Sequence, residues 1–243
     1  MELLEFKNKL KKAIEDNSID VEFTDEKALK LYNLTQIMLE VNKSMNLTAI
    51  TDENAIIVKH YVDSLTVSKY IPINATVIDV GCGAGFPCLP LAIFREDLKI
   101  TALDATAKRI RYIENTAKEL KLTNIFPIAA RAEDLAKTSD YRESFDVATA
   151  RAVASLPVLS ELCLPFVKKS GLFVSMKASQ GEQELALSKN AISLCGGTFV
   201  SLDSISLELD DMLESRSIIS VRKSSSTPIK YPRHFSQISK KPL

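Results

Sequence analysis

The chain has 243 residues, 46% of them hydrophobic, and its 31 basic and 31 acidic side chains cancel to a formal charge of zero. That length and apolar content suffice for one α/β core with an appendage, and the neutral balance excludes a uniformly polybasic or polyacidic protein. No apolar run approaches the ~18 residues of a membrane-spanning helix, and Met1–Lys7 lacks the basic head and apolar centre of a secretory leader, so a cytoplasmic protein without a membrane partner is expected.

Taken in chain order, apolar residues at Leu3, Phe6, Leu10 and Ile14 have helical spacing, and a longer stretch follows at Leu29, Leu31, Leu34, Ile37, Met38 and Val41. Thr24 and Asp25 are good N-cap residues with Glu26 in the first turn, so a second helix is expected over about 24–42. Phe6, Phe23 and Tyr32 fit a core better than a base-stacking platform. Short polar residues at 43–48 break the pattern, and Thr51–Asn54 offers a new start for a helix running through His60 to about Tyr70. Residues 1–70 thus read as a helical extension.

From Pro72 short apolar runs alternate with amphipathic segments, the rhythm of a mostly parallel sheet. Strands are expected at 76–80, 99–103, 125–129, 145–150 and 171–177, with helices near 87–95, 107–121, 133–137 and 156–168. A helix at 180–194 and strands at 197–208 and 215–222 would close a domain over 71–223. Residues 224–243 contain Pro228, Pro232 and Pro242 and read as an extended surface tail. No acidic residue follows Glu214, whereas Arg216, Arg222, Lys223, Lys230, Arg233, Lys240 and Lys241 do, which makes this end either a solvated tail or a phosphate-contacting edge. Cys82, Cys88, Cys163 and Cys195 form no CxxC pair, and the two histidines, His60 and His234, do not complete a ligand set, so free thiols and no metal are expected.

Of only seven glycines, Gly81, Gly83 and Gly85 fall within one loop directly after the β-branched run Val77–Val80. Glycine there permits positive φ and close approach of a ligand to the backbone. A dinucleotide fingerprint would carry its third glycine where this chain has Phe86, which disfavours a nicotinamide-dependent oxidoreductase and leaves a GxGxG loop. Asp104, about twenty positions on at the end of the second strand, is placed to accept hydrogen bonds from ribose hydroxyls. Glu133, after the third strand, lies where an adenine edge would sit, although a helix N-terminal acid is also accounted for by the macrodipole. Together these features point to S-adenosylmethionine.

The chain resembles the glucose-inhibited division protein B family, whose members are bacterial small-subunit rRNA guanine-N7 methyltransferases. The resemblance runs through Asn46–Ile50, His60–Leu65, the loop Gly81–Pro90, Leu103–Asp104 with Lys108–Arg109, Arg131–Glu133, Ala150–Leu156 and Thr227–Arg233. It departs where Cys88 replaces a usual glycine and where His234–Gln237 replaces a more glycine-rich tail. What it implies is a three-layer, Rossmann-like class I methyltransferase fold with a mostly parallel sheet and a helical N-terminal extension. It further implies S-adenosylmethionine as cofactor, 16S rRNA or the small ribosomal subunit as partner, and cofactor contacts at Gly81, Phe86, Asp104, Ala105, Thr106, Ala132, Glu133 and Arg151.

Guanine N7 has an in-plane lone pair and no proton, so its methylation needs alignment and electrostatics but no general base. Amine methylation would call for an Asp/Asn-Pro-Pro-aromatic turn after the fourth strand and pyrimidine C5 chemistry for a nucleophilic cysteine. The fourth strand ends instead in Ala148-Thr149-Ala150-Arg151. Arg151 is the best candidate for a catalytic role, orienting cofactor or acceptor, against the alternative of a simple ion pair. His60 reads as core, helix surface, cap or RNA contact, and Lys177 as a phosphate contact or a solvated lysine. The competing functions are a methyltransferase for another substrate and a non-catalytic RNA-binding or assembly factor.

Overall fold

Runs rich in β-branched and apolar residues form the strands of one sheet in the computed structural model, which describes residues 1–209 and 212–243. They are β1 (Thr76–Val80), β2 (Lys99–Asp104), β3 (Ile125–Ala129), β4 (Phe145–Arg151), β5 (Val167–Lys177), β6 (Gly197–Leu209) and β7 (Met212–Lys223). Among the described residues the order is β3-β2-β1-β4-β5-β7-β6. The first five are mutually parallel, while β7 runs antiparallel to both β5 and β6. The order reverses between β1 and β4, so the crevice outside their carboxyl ends is where such a sheet binds ligands.

Successive residues along β1, β4, β5 and β7 alternate between two cores. Val77, Val147, Val174 and Ile218 face one, and Ile78, Ala148, Phe173 and Ile219 face the other. The first core is shared with the N-terminal helices α1 (Leu3–Asp16) and α2 (Asp25–Met45) and with α5 (Cys88–Phe94) and α6 (Ala107–Glu119). The second is covered by α8 (Leu156–Cys163) and α9 (Gly181–Leu194). The helical extension and the sheet therefore bury one continuous set of apolar side chains.

Local chemistry explains the N-terminal elements. Thr24 accepts a hydrogen bond from Lys27 N at 3.2 Å, with Asp25 and Glu26 in the first turn of α2, and Asn46 ends the helix in the left-handed region at φ 51°. Leu31, Leu34 and Met38 are fully buried, each contributing about 1.5–3 kcal/mol by leaving water. Asp52 caps the next segment through Ala55 N.

That next segment is not the single helix expected to Tyr70. It divides into α3 (Glu53–Ile56), a π-helical stretch Ile57–Val62, α4 (Asp63–Leu65) and a 3-10 turn Ser68–Tyr70. The wider π turn is a recurrent device at functional sites because it reorients side chains and backbone carbonyls. Here the Lys59 carbonyl accepts from Arg151 at 3.0 Å. Similarly, the helix expected over 156–168 ends at Cys163 and continues as a 3-10 turn containing Pro165, after which β5 begins at Val167, four residues earlier than expected. A short α7 (Ala132–Leu135) follows β3.

The tail is also more structured than expected. Residues 224–243 include α10 (Phe235–Lys240), and Thr227, Tyr231 and Ile238 are buried. Arg142 donates to the carbonyls of Thr227, Pro228 and Tyr231, which fixes a segment that its prolines keep out of helix and sheet. Arg233 chelates the fully buried Glu161 carboxylate at 2.6 and 2.9 Å. Lys223, itself buried, pairs with Glu143 at 3.0 Å, and Arg216 pairs with Asp63 and Glu214. Three of the seven terminal cations are thus committed to carboxylates of the protein, whereas Arg222, Lys230, Lys240 and Lys241 form no ion pair with the described residues.

Candidate cofactor cleft and acceptor cavity

The glycine loop leaves β1 with φ of +77° at Gly81 and +55° at Gly83. Gly81 N and Cys82 N both donate to the Leu103 carbonyl, which ties the loop to the end of β2. At that end Asp104 accepts from Gly83 N at 3.1 Å and from Thr106 N at 2.7 Å, with the Arg109 guanidinium 3.6 Å away. Gly81 is required twice over, since a Cβ there would lie 2.6 Å from Val153 Cγ2 besides being strained by its positive φ. Gly81, Gly83, Phe86, Asp104, His60 and Arg151 are among the residues that line a cleft of about 340 Å³ over the strand ends. Glycine backbone as a floor, one carboxylate at the end of the second strand and an aromatic ring suit a nucleoside-bearing cofactor.

A second cavity of about 680 Å³ adjoins this cleft and shares His60, Arg151, Ala152 and Val153 with it. Arg151 stands between the two. Its guanidinium donates to Asp63 Oδ2 at 2.8 Å, lies 5.2 Å from the Phe86 ring centroid and approaches His60 Nδ1 at 3.5 Å. The ion pair weighed as the alternative reading of Arg151 is therefore present, at the junction of the two spaces. His60 stacks on Phe86 with centroids 4.3 Å apart and planes 15° from parallel, and its Nε2 is 2.9 Å from Thr48 Oγ1. Burial, with the Arg151 charge adding to it, pushes the imidazole pKa down to about 4, which leaves a neutral ring at pH 7. A neutral ring accepting at Nδ1 carries its proton on Nε2, facing Thr48.

The remaining carboxylates of the cavity are paired as well. Asp63 also meets Arg216 at 3.3 Å, and Glu214 bridges Lys59 and Arg216. Lys177 binds Glu184 at 2.7 Å and the Ala154 carbonyl, so the ammonium read as either a phosphate contact or a solvated lysine is 9% exposed and engaged within the protein. Below the loop, Asp79 accepts from Cys88 N at 3.2 Å and Thr149 Oγ1 at 3.3 Å, and burial pushes its carboxyl up to about 6. Burial also holds the Cys88 thiol well above its ordinary range, which removes it as a nucleophile. All four cysteines are free and buried.

Gly81, Gly83, Phe86, Asp104, His60 and Arg151 are thus brought together around one cleft. Gly85, at φ +92°, packs on Leu89, and Ala105, Thr106, Ala132 and Glu133 lie outside the residues lining the cleft, with Glu133 buried in the first turn of α7. Sequence reasoning assigned no role to Thr48, Asp63, Glu184 or Glu214. Thr48 and Asp63 lie within motifs that carried the family resemblance; Glu184 and Glu214 had no signal, because they join the site only through packing of α9 and the β6–β7 hairpin.

The strand order, the glycine loop ending β1 and the acidic residue ending β2 define a Rossmann-like methyltransferase of the class that uses S-adenosylmethionine. The solved structure of M. jannaschii TYW2 in complex with AdoMet shares this fold, at a TM-score of 0.54 and 16% identity over 67% of this chain and 75% of that one. A SAM-dependent methyltransferase from Methanosarcina mazei does so at 0.51 and 16%, over 65% and 97%. Residues 27–213 match the family model of the rRNA small subunit methyltransferase G proteins, and the chain belongs to that family of rRNA-methylating enzymes. Its relatives named ribosomal RNA small subunit methyltransferase G include one from Oceanobacillus iheyensis, 42% identical over 92% of this chain and 94% of that protein. Another, from Staphylococcus saprophyticus, is 44% identical over 92% and 93%. Among the described residues no helix is long and apolar enough to cross a membrane.

Proposed function

We propose that the protein transfers a methyl group from S-adenosylmethionine to N7 of one guanine in 16S rRNA, acting on the rRNA or on the small ribosomal subunit. The observation that carries this reading is the pair of adjoining spaces, glycine cleft and acceptor cavity, with the Arg151 guanidinium at their junction. When bound, S-adenosylmethionine supplies an electrophilic methyl group on a sulfonium. Gly81, Gly83, Phe86 and Asp104 would hold and orient it, with the Asp104 carboxylate suited to accept from ribose hydroxyls.

Guanine N7 attacks with an existing lone pair, so no proton has to leave before the transfer. The site suits that chemistry: His60 is neutral and weakly basic, Asp63 and Glu214 are neutralised by cations, and the Cys88 thiol is inert. Arg151 donates to guanine O6 or to a flanking phosphate and stabilises the orientation in which N7 faces the methyl. Residues 1–70 contribute Thr48, His60 and Asp63, residues 71–223 the cofactor side, and 224–243 a structural staple.

Incubation with methyl-labelled S-adenosylmethionine and small subunits from a strain lacking the gene tests the reading. Label is expected in 16S rRNA with saturation near one methyl per particle. A protein that binds the particle and transfers nothing would be an assembly factor instead, and label confined to protein or small molecules would indicate another substrate.

A further inference from the structure

Resting on the guanine-N7 reading above, we propose that Glu184 is the residue that selects guanine, by accepting hydrogen bonds from its N1–H and N2 amino group at the far wall of the acceptor cavity. The orientation follows from the reaction. If N7 and the neighbouring O6 face the cleft, where Arg151 and His60 stand, the opposite end of the purine points away from it. That end carries two donors, N1–H and the N2 amino group, and calls for a carboxylate acceptor.

The cavity lining offers three carboxylates, and their bonding distinguishes them. Asp63 uses both oxygens, Oδ2 toward Arg151 and Oδ1 toward Arg216. Glu214 likewise spends Oε1 on Lys59 and Oε2 on Arg216. Glu184 holds both of its partners, Leu156 N at 2.6 Å and Lys177 Nζ at 2.7 Å, through Oε2 alone. Its Oε1 has no partner among the described residues.

Glu184 is also fixed in advance. The backbone N–H opening α8 and the Lys177 ammonium, itself tied to the Ala154 carbonyl, clamp one oxygen of a side chain that lines the cavity and leave the other without a partner among the described residues. Its side chain is 24% exposed, as an acceptor waiting for an incoming base should be. Adenine presents an acceptor at N1 and no amino group at C2, so it would leave this oxygen unpaired, and inosine would leave it with one donor instead of two.

The test compares methyl transfer to an RNA substrate carrying guanosine at the mapped target with one carrying inosine there, for wild type and Glu184→Gln. Wild type should favour guanosine in kcat/KM by about tenfold, the cost of one lost hydrogen bond to a charged acceptor. Glu184→Gln should lower transfer to guanosine while bringing the guanosine-to-inosine ratio to within twofold, with S-adenosylmethionine affinity unchanged. A merely structural role would slow both substrates alike and preserve the ratio, which would overturn the proposal. Equal rates on the two substrates in wild type would overturn it too, leaving the N7 reading intact, whereas no wild-type transfer to guanosine would defeat that parent reading itself. Should Glu184→Gln fail to fold, Glu184→Asp carries the test: withdrawing the carboxylate by one methylene should bring the guanosine-to-inosine ratio to within threefold, and a tenfold preference left intact would overturn the proposal.

Discussion

His60 and Asp79 are both buried beside the cofactor loop, yet burial acts on them in opposite senses because it disfavours whichever form is charged. His60 falls from an ordinary 6.5 to about 4, so its contribution to stability is present above pH 6.5 and is lost as pH falls through 4. Asp79 rises from 3.8 to about 6, so its contribution is full below pH 3.8 and is lost as pH rises through 6. The two nearly cancel between pH 4 and 6. Replacing His60 by Gln removes one side of the balance. Urea unfolding should show the variant gaining roughly 3 kcal/mol relative to wild type between pH 6.5 and 4, and a pH-independent difference would contradict the neutral, buried imidazole. Arg151→Lys keeps a charge but loses the planar guanidinium, whose Nη1 donates to both Asp63 and the Lys59 carbonyl while Nη2 approaches His60 Nδ1. Single-turnover methyl transfer should fall about a hundredfold, and a loss under threefold would remove Arg151 from the alignment of the acceptor. Arg151 and Asp104 were legible in the sequence because strand ends place side chains predictably. Glu184 was not, since its role depends on α9 folding back over the β4 loop.

At the scale of elements, the β6–β7 hairpin joins the N-terminal helices to the sheet. Leu207 is fully buried in the core shared with α1 and the π-helical stretch, whereas Leu213, on the neighbouring strand, is 70% exposed. Leu207→Ala should therefore cost about 2–5 kcal/mol of unfolding free energy, and Leu213→Ala under about 0.5 kcal/mol, by chemical denaturation. Equal effects would mean that the hairpin does not pack as described. Strand positions were readable because runs such as Thr76–Val80 and Ile125–Ala129 are short, apolar and β-branched, and α2 because it carries its own cap. The π-helical interruption at 57–62 had no local signature: Ile57–Val62 contains neither proline nor glycine, and its wider turn is set by tertiary demands at Lys59 and His60.

At the scale of the whole molecule, the charge distribution reverses a first impression. The terminal segment is the most basic by sequence, yet Arg216, Lys223 and Arg233 are held by Asp63, Glu143 and Glu161. Sequence showed the excess of charge but not its partners, which lie 72 to 153 positions earlier in the chain. By contrast Lys108, Arg111 and Arg131 are exposed near the carboxyl ends of β2 and β3 and form no ion pair with the described residues. RNA affinity should depend on these three. Their joint replacement by Ala should flatten the slope of log affinity against log salt by about 2, since each phosphate contact on a single strand contributes roughly −0.7. An unchanged slope would place the RNA elsewhere. The central claim, transfer to N7 of a single guanine, is tested most directly by borohydride and aniline treatment of 16S rRNA, which cleaves the chain at 7-methylguanosine. After incubation of unmodified small subunits with the protein and S-adenosylmethionine, one new cut is predicted, absent when either is omitted; methyl incorporation without a cut would contradict N7 as the acceptor.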